Sequence, residues 1–428
     1  MLARAIIPSC LTLGALVFEL VAQTPGQVTA VVGNVWALDY ASARGTSFDT
    51  SVDFDLLYNG LQEGPTYPAM DEGVQVRNWT DDRGVEFRYA IMVPDGYDPE
   101  HSYPVHVFLH GGIMRAQPEP GDRWWSTSDR MIDSTRIAVF PLGWKDATWW
   151  GPYQAISLAT ISHELRRDFN VDENRFYLIG ISDGGTGVYF HAFRESTIWA
   201  GFLAYIGHPA VLNNPRADTD GDLFVTNMTN RPLFAVNGEV DRLYPTEVVA
   251  PYMERFREAG VDITFRPQAG GGHDMRWVPG EAENIRTFIR QHPRDPLPDR
   301  MSWETERTDR YQRHHWVILT ELGEVAGEAE FPPSDVFPRR HPSGRVDLER
   351  RGNTVVVMTR GVRRFTLLLS PDQFDFSQPI MVMTNGVTVF EGVVEKDVDV
   401  LLKWATRDRD RTMLFAAEME VAVSGLAE

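Results

Sequence analysis

The chain has 428 residues, of which 43% are hydrophobic and 24% charged, so it is long enough for two folded domains and has no compositional sign of disorder. Its formal net charge is −19, which gives phosphate backbones no favourable electrostatic attraction. We therefore expect no nucleic-acid partner, and the excess of acidic residues favours solubility instead.

The N-terminus has the pattern of a secretory signal. Arg4 precedes a mostly apolar run from Ala5 to Ala22, and Glu19 argues against this run as a membrane span. We predict a signal peptide over residues 1–22, a secreted or periplasmic protein, and no transmembrane segment in the mature chain; an uncleaved anchor is the alternative. The one cysteine, Cys10, lies in this run, so a chain cut after Ala22 has no thiolate nucleophile and no cysteine-bound metal.

Short apolar runs alternate with helical spacing between residues 71 and 292. Two alternating strands are followed by buried-strand patterns and intervening helices, whereas residues 23–70 carry weaker signals and are predicted to be a leader packed on this domain. The alternation predicts an α/β fold, with a mostly parallel sheet and helices on both faces. The predicted strands are Val74–Trp79, Glu86–Val93, Val105–Leu109, Ile137–Phe140, Phe176–Ile179, Pro232–Val236 and Ile263–Arg266, and the predicted helices are Ala155–Phe169, Glu247–Ala259 and Asn284–Gln291.

A proline-rich segment ends this pattern. Residues 293–303 contain three closely spaced prolines and are predicted to be a linker crossed by few contacts. Strand patterns dominate residues 304–428, where Asn385-Gly386 between two apolar runs predicts a two-residue hairpin. We therefore expect a C-terminal β-rich domain.

One short segment indicates a serine nucleophile. Gly180-Ile181-Ser182-Asp183-Gly184 directly follows a predicted strand and precedes a helical stretch. On a tight strand-to-helix turn, side chains two positions either side of the nucleophile would clash, which explains the glycines. The turn raises the hydroxyl above the sheet, so Ser182 is the predicted nucleophile; a glycine-rich structural turn is the alternative.

A serine hydroxyl needs a base, and the base needs an acid that orients it. Loops after the next strands contain Glu239 and Asp241, and then His273 behind three glycines. His273 is the predicted base. Asp241 is the predicted acid, because it lies further beyond its strand than Glu239 and its shorter side chain suits a close bond to the imidazole.

The oxyanion that forms on the substrate needs two preorganised N–H donors. Asp183, the residue after the nucleophile, would supply one. His110-Gly111-Gly112 follows an early buried strand, which is where the second donor is expected. Gly111 and Gly112 are therefore the predicted oxyanion-loop residues.

These motifs together resemble the polyhydroxybutyrate depolymerase and feruloyl esterase branch of the α/β-hydrolases, and phospholipase/carboxylesterase-like proteins share the pattern. The resemblance covers roughly residues 70 to 292. It implies the α/β-hydrolase fold and a Ser182–Asp241–His273 triad, and it does not imply a particular substrate. It rests on Tyr89 to Gly112, Gly143-Trp144, Trp149-Trp150, Val171 to Arg175 and Gly180 to Gly185.

Other candidate sites are weaker. Five tryptophans crowd the region before Gly180, namely Trp124, Trp125, Trp144, Trp149 and Trp150. Of these, Trp144, Trp149 and Trp150 are predicted to contact substrate, since ligand pockets favour aromatic walls; packing under a loop is the alternative. The acidic loop 218–222 departs from the EF-hand calcium pattern. A zinc-protease helix would begin at His163, but Arg167 occupies the place of its second histidine. His208 follows a strand pattern and is interpreted as a structural loop histidine. We expect neither a metal nor a cofactor.

The predicted function is that of a serine carboxylic ester hydrolase that works through an acyl-enzyme on a small or polymeric ester. Two alternatives remain open at this point. A prolyl-oligopeptidase-like serine peptidase would have the same order of nucleophile, acid and histidine. A non-catalytic binding protein could use the same scaffold.

Overall fold

The computed structural model describes residues 25–38, 52–125, 135–323 and 336–423. The predicted signal peptide lies outside these residues. Within them, no helix is both long enough and apolar enough to cross a membrane.

An eight-stranded sheet forms the centre of the N-terminal two thirds of the chain. Its spatial order is β1-β2-β4-β3-β5-β6-β7-β8; β2 is antiparallel to β1 and β4, and β3 to β8 run parallel. This strand order, parallel from β3 to β8 with an antiparallel β2, is that of the predicted α/β-hydrolase fold. The strands are β1 (Gly73–Thr80), β2 (Glu86–Val93), β3 (Tyr103–Leu109), β4 (Ile137–Pro141), β5 (Val171–Ile181), β6 (Gly201–Tyr205), β7 (Leu233–Gly238) and β8 (Ile263–Gln268).

Helices cover both faces of this sheet, as the alternation predicted. Successive strand residues face opposite sides, so Val107 contributes to the hydrophobic cluster under α3, α4 and α6, and Phe108 to the cluster under α7. The parallel strands therefore end together at one edge, where their loops meet. The helices are α3 (Pro152–Asp168), α4 (Asp183–Arg194), the short α5 (Val225–Met228), α6 (Thr246–Glu258) and α7 (Val278–Gln291).

Two further sheets form the C-terminal region and share one hydrophobic cluster that includes Trp303, Trp316 and Leu367. One sheet has the order β10-β11-β14-β17 and the other β16-β15-β13-β12-β9, with the predicted Asn385-Gly386 hairpin joining β15 and β16. The elements are β9 (Arg300–Thr305), β10 (Arg313–His314), β11 (Val317–Leu322), β12 (Gly344–Arg351), β13 (Thr354–Arg360), β14 (Val362–Leu369), β15 (Ile380–Thr384), β16 (Val387–Gly392), α8 (Val398–Asp408) and β17 (Ala417–Ala422).

The N-terminal helices α1 (Pro25–Ala37) and α2 (Phe54–Glu63) contact a different partner from the one expected. Their apolar residues share a cluster with Leu401, Leu402 and Ala405 of α8, in the C-terminal region. Contact with the hydrolase region comes later in the chain, where the Tyr67 hydroxyl donates to the carbonyl of Arg166 in α3 at 3.3 Å.

The proline-rich segment does not separate the two regions in space, so the expectation of few crossing contacts is wrong. Arg194 of α4 makes two hydrogen bonds to Glu306, at 2.6 and 2.8 Å, and Arg294 binds Asp410 at 2.6 Å. Arg411 binds Glu173 at 2.6 and 3.0 Å. Strand β9 also begins inside the predicted linker, so the exact domain bounds stay a prediction.

Candidate active site

Ser182 lies at the sharp turn between β5 and α4. Its φ of 56° and ψ of −115° are strained for a residue with a side chain, as expected of the predicted strand-to-helix turn. The flanking glycines are required by space. A Cβ at position 180 would lie 2.0 Å from the carbonyl oxygen of Gly184, and one at position 184 would lie 1.9 Å from that of Leu109.

The structure brings the three predicted triad side chains into one hydrogen-bonded chain. Ser182 Oγ lies 2.8 Å from His273 Nε2, and His273 Nδ1 lies 2.7 Å from Asp241 Oδ2. A carboxylate only accepts, so Nδ1 carries the proton and Nε2 is left to accept from the serine hydroxyl. This is the tautomer that a general base requires.

Asp241 is held rigidly while it orients His273. Its second oxygen, Oδ1, accepts from the backbone N–H groups of Leu243 and Tyr244 at 2.8 and 3.0 Å, and the side chain is fully buried. Glu239, the other acid of this loop, instead accepts from the N–H of Gly270 at 2.9 Å. Geometry therefore assigns the contact with the histidine to Asp241, and Glu239 holds the backbone of the histidine loop.

The loop after β3 lies directly against the nucleophile. A Cβ at Gly111 would be 2.8 Å from that of Ser182, so only glycine fits there. The carboxylate of Asp183 accepts from the N–H of Ile113 at 2.9 Å and ties this loop to the start of α4. Because Asp183 is the first residue of α4, its N–H is one of the helix donors without an intrahelical partner.

The three predicted substrate tryptophans lie in the interior, which corrects the expectation that they line the pocket. Trp149 is 0% exposed, Trp150 3% and Trp144 4%. The indole N–H of Trp149 donates to the carbonyl of His110, and that of Trp150 to the carbonyl of Ala217, both at 2.8 Å. The alternative interpretation, packing beneath a loop, describes them.

A cavity of about 190 Å³ adjoins the turn instead. The half-buried Trp124 forms one wall, and its indole N–H donates to the carbonyl of Phe140 at 3.0 Å. Sequence reasoning noted this residue only within a tryptophan-rich region, since nothing local separated it from its neighbours. The lining residues are Phe108, Leu109, His110, Gly111, Trp124, Phe140 and Ile181.

The weaker sequence signals have structural explanations. In the acidic loop, Asp220 accepts from the Tyr311 hydroxyl at 2.7 Å and pairs with Arg310 at 2.9 Å, so arginine balances its charge. Burial lowers the pKa of His208, whose Nδ1 accepts from the N–H of Ala210 at 2.8 Å. Burial likewise lowers the pKa of His163 to about 3, and its Nε2 contacts the carbonyl of Thr406.

No protein-family model matches the sequence, and no curated protein sequence matches it. Solved structures do. A thermostable esterase is similar at 20% identity over 52% of this chain and 63% of its own, with a TM-score of 0.41. Thermogutta terrifontis esterase 2 phosphorylated by paraoxon is 15% identical over 51% and 94% (TM-score 0.41), and Pyrococcus horikoshii acylaminoacyl peptidase 15% over 53% and 43% (TM-score 0.42). This chain thus covers less than two thirds of the length of the thermostable esterase, and the similarity is one of fold.

Proposed function

We propose that this protein is a serine carboxylic ester hydrolase. The observation that carries the proposal is the chain of short hydrogen bonds from Ser182 through His273 to Asp241, built on a strained turn at the carboxyl edge of the sheet. Each member has the partner that its role needs: a base within reach of the nucleophile, and a buried acid that fixes the tautomer of the base.

In the proposed reaction, Ser182 Oγ attacks the ester carbonyl while His273 Nε2 takes the hydroxyl proton. Asp241 stabilises the imidazolium that results. The N–H of Asp183 and one from the Gly111–Gly112 loop bind the oxyanion. Collapse of the tetrahedral intermediate breaks the ester bond, and His273 returns its proton to the leaving alcohol. Water then attacks the acyl-enzyme with His273 as base, which releases the acid and restores Ser182.

The cavity beside the turn supports an apolar acyl group as the part of the substrate held during acylation. Its volume of about 190 Å³ is below the several hundred Å³ usual for ligand pockets, which favours a small group. Its walls are mainly aromatic and aliphatic side chains, including Phe108, Trp124 and Ile181. We therefore expect short acyl esters to be better substrates than long ones, with feruloyl esters and polyhydroxybutyrate film as the comparison cases from the resembling families.

The N-terminal signal pattern supports action outside the cytoplasm. Arg4 and the apolar run to Ala22 are the features that carry this part of the proposal. Sequencing the N-terminus of protein taken from its native compartment tests it: cleavage near Ala22 is expected, and an intact Met1 on cytosolic protein would contradict it.

The central experiment combines a fluorophosphonate probe with nitrophenyl esters and matched amides. Ser182→Ala should lose both labelling and ester hydrolysis and remain folded. Ser162→Ala, which removes a buried hydroxyl bonded only to a carbonyl of its own helix, should keep both. Full labelling of Ser182→Ala would exclude Ser182 as the nucleophile. Amides cleaved faster than esters would favour the peptidase, and substrate binding without turnover would favour the binding protein.

A further inference from the structure

Two side chains hold consecutive carbonyl groups of the loop that lies against the nucleophile. The indole N–H of Trp149 donates to the carbonyl of His110 at 2.8 Å. The imidazole of His110 in turn lies 2.9 Å, through Nδ1, from the carbonyl oxygen of Gly111. Both peptide units that follow His110 are therefore fixed by a side chain.

The state of His110 follows from its partners. A carbonyl oxygen only accepts, so Nδ1 must carry a hydrogen. The N–H of Gly143 donates to Nε2 at 3.1 Å, so Nε2 must keep its lone pair. Only the neutral Nδ1–H form satisfies both contacts, and burial lowers the pKa of His110, which favours that form.

Fixing each carbonyl also fixes an N–H group. In a planar trans peptide the carbonyl and the following N–H point in opposite directions. The contact with Trp149 therefore sets the direction of the Gly111 N–H, and the contact with His110 sets that of the Gly112 N–H. These are the two candidate oxyanion donors of the loop.

Trp149 is itself held against the helix that follows the nucleophile. A Cβ at Gly143 would lie 2.6 Å from its ring, and a Cβ at Gly187 in α4 would lie 2.4 Å from its own Cβ. The indole fits closely between these two glycines and is 0% exposed. Trp149 thus contacts the loop through its indole N–H and α4, the helix that follows Ser182, through its Cβ.

We propose that Trp149 and His110 are positioning residues that set the directions of the Gly111 and Gly112 N–H groups, one of which is the loop's donor to the oxyanion. This inference rests on the proposed esterase function. It gives Trp149 a role in the reaction through the loop rather than through contact with substrate.

Trp149→Phe tests the first contact, because it keeps a buried ring and removes the indole N–H. Trp303→Phe is the matched control: Trp303 is also 0% exposed and donates to a carbonyl at 2.8 Å, that of Tyr311, in the C-terminal core. Displacing a catalytic donor by about 1 Å costs about 10²-fold in rate, so we expect kcat of Trp149→Phe to fall about 10²-fold with KM unchanged. Trp303→Phe should keep the wild-type kcat despite a similar loss of thermal stability.

His110 is tested by removal and rescue. His110→Leu should lower kcat with KM unchanged, whereas His110→Asn should recover much of it, since the amide nitrogen of Asn can replace Nδ1 as donor to Gly111. The inference is overturned if Trp149→Phe and His110→Leu retain the kcat of Trp303→Phe, or if Leu and Asn at position 110 are equally impaired. A wild-type protein that neither labels nor hydrolyses esters would instead remove the proposed function itself.

Discussion

The active-site corner and the interface with the C-terminal region are built on opposite principles. Ser182, Asp241 and His273 each lie within a few residues of a strand end, so the sheet alone brings them together. The interface is held by arginine–carboxylate pairs whose partners are far apart in sequence: Arg294–Asp410 and Arg411–Glu173 are 116 and 238 positions apart. The first arrangement is specified by local pattern, and the second only by the complete fold.

The two regions also neutralise buried charge differently. At the candidate active site, Asp241 accepts from one imidazole and two backbone N–H groups, so in the proposed reaction the histidine can gain a proton. At the interface, Asp410 pairs with the permanently charged Arg294, and Arg294 also holds Asn174. One set of contacts permits a change of charge, and the other opposes any change.

The largest expected effect separates the two acids of the catalytic loop. Asp241→Asn should cut kcat on a nitrophenyl ester by about 10⁴-fold, because the histidine then loses both its tautomer and the stabilisation of its charged form. Glu239→Gln should cost far less, since the Glu239 carboxylate accepts from the N–H of Gly270 and makes no described contact with His273. The reverse order of these two variants would give Glu239 the role of acid; steady-state kinetics at saturating substrate decides.

This contrast explains how much the sequence could predict. The turn around Ser182 and the loops that carry Asp241 and His273 are short motifs placed by strand ends, and the three side chains lie within hydrogen-bonding distance as expected; the roles of these residues and of the oxyanion loop stay predictions. The tryptophans were different. The clustering of tryptophans in the sequence predicted that Trp149 and Trp150 contact substrate. The fold shows instead that both are buried and that Trp124 lines the cavity.

The interface was beyond sequence reasoning for a physical reason. The three prolines before β9 correctly end the α/β pattern, yet they say nothing about which surfaces meet afterwards. Arg194, Arg294 and Arg411 look like ordinary solvated residues in the sequence, since a lone arginine does not reveal a carboxylate more than a hundred positions away. The packing of α1 and α2 on α8 is long-range in the same way.

Breaking one buried pair tests whether the interface supports the whole fold. Arg294→Met should lower the free energy of unfolding by about 3–5 kcal/mol, because it leaves the buried Asp410 with a much weaker ion partner, Arg166 at 3.7 Å. Arg286→Met, which removes an exposed pair with Glu283, should leave the free energy of unfolding nearly unchanged, because solvent screens that pair. Urea denaturation measures both, and equal losses would show that the interface contributes little.

The cavity gives a smaller effect on specificity. Trp124→Ala enlarges it, so kcat/KM for an octanoyl ester relative to a butyryl ester should rise about 10-fold, as hydrophobic pockets discriminate by roughly this factor. Trp79→Ala, another half-buried tryptophan outside the cavity lining, should leave the ratio unchanged. If both variants give the wild-type ratio, the acyl group binds elsewhere.

The smallest expected effect is a pH dependence of stability at the interface. Burial, with Arg231 and Arg313 nearby, holds the pKa of His314 well below its ordinary value, so the folded protein keeps this histidine neutral. The unfolded chain binds the proton as the pH falls below about 6.5, so stability is lost in that direction.

His314→Phe isolates this contribution. His314 stacks on Trp303 with ring centroids 4.7 Å apart, and its Nε2 has no hydrogen-bond partner among the described residues, so a phenyl ring keeps the packing and removes only the 3.3 Å contact of Nδ1 with Ser196 Oγ. A histidine that stays neutral in the folded protein lowers the free energy of unfolding by about 1.4 kcal/mol at pH 5.5 relative to pH 7.5. Urea denaturation at both pH values measures this loss of stability, which should be smaller by about this amount in His314→Phe than in the wild type. His101→Phe, at an exposed position, is the control and should lose as much stability as the wild type. An unchanged loss in His314→Phe would mean that other groups cause the acid sensitivity of the interface.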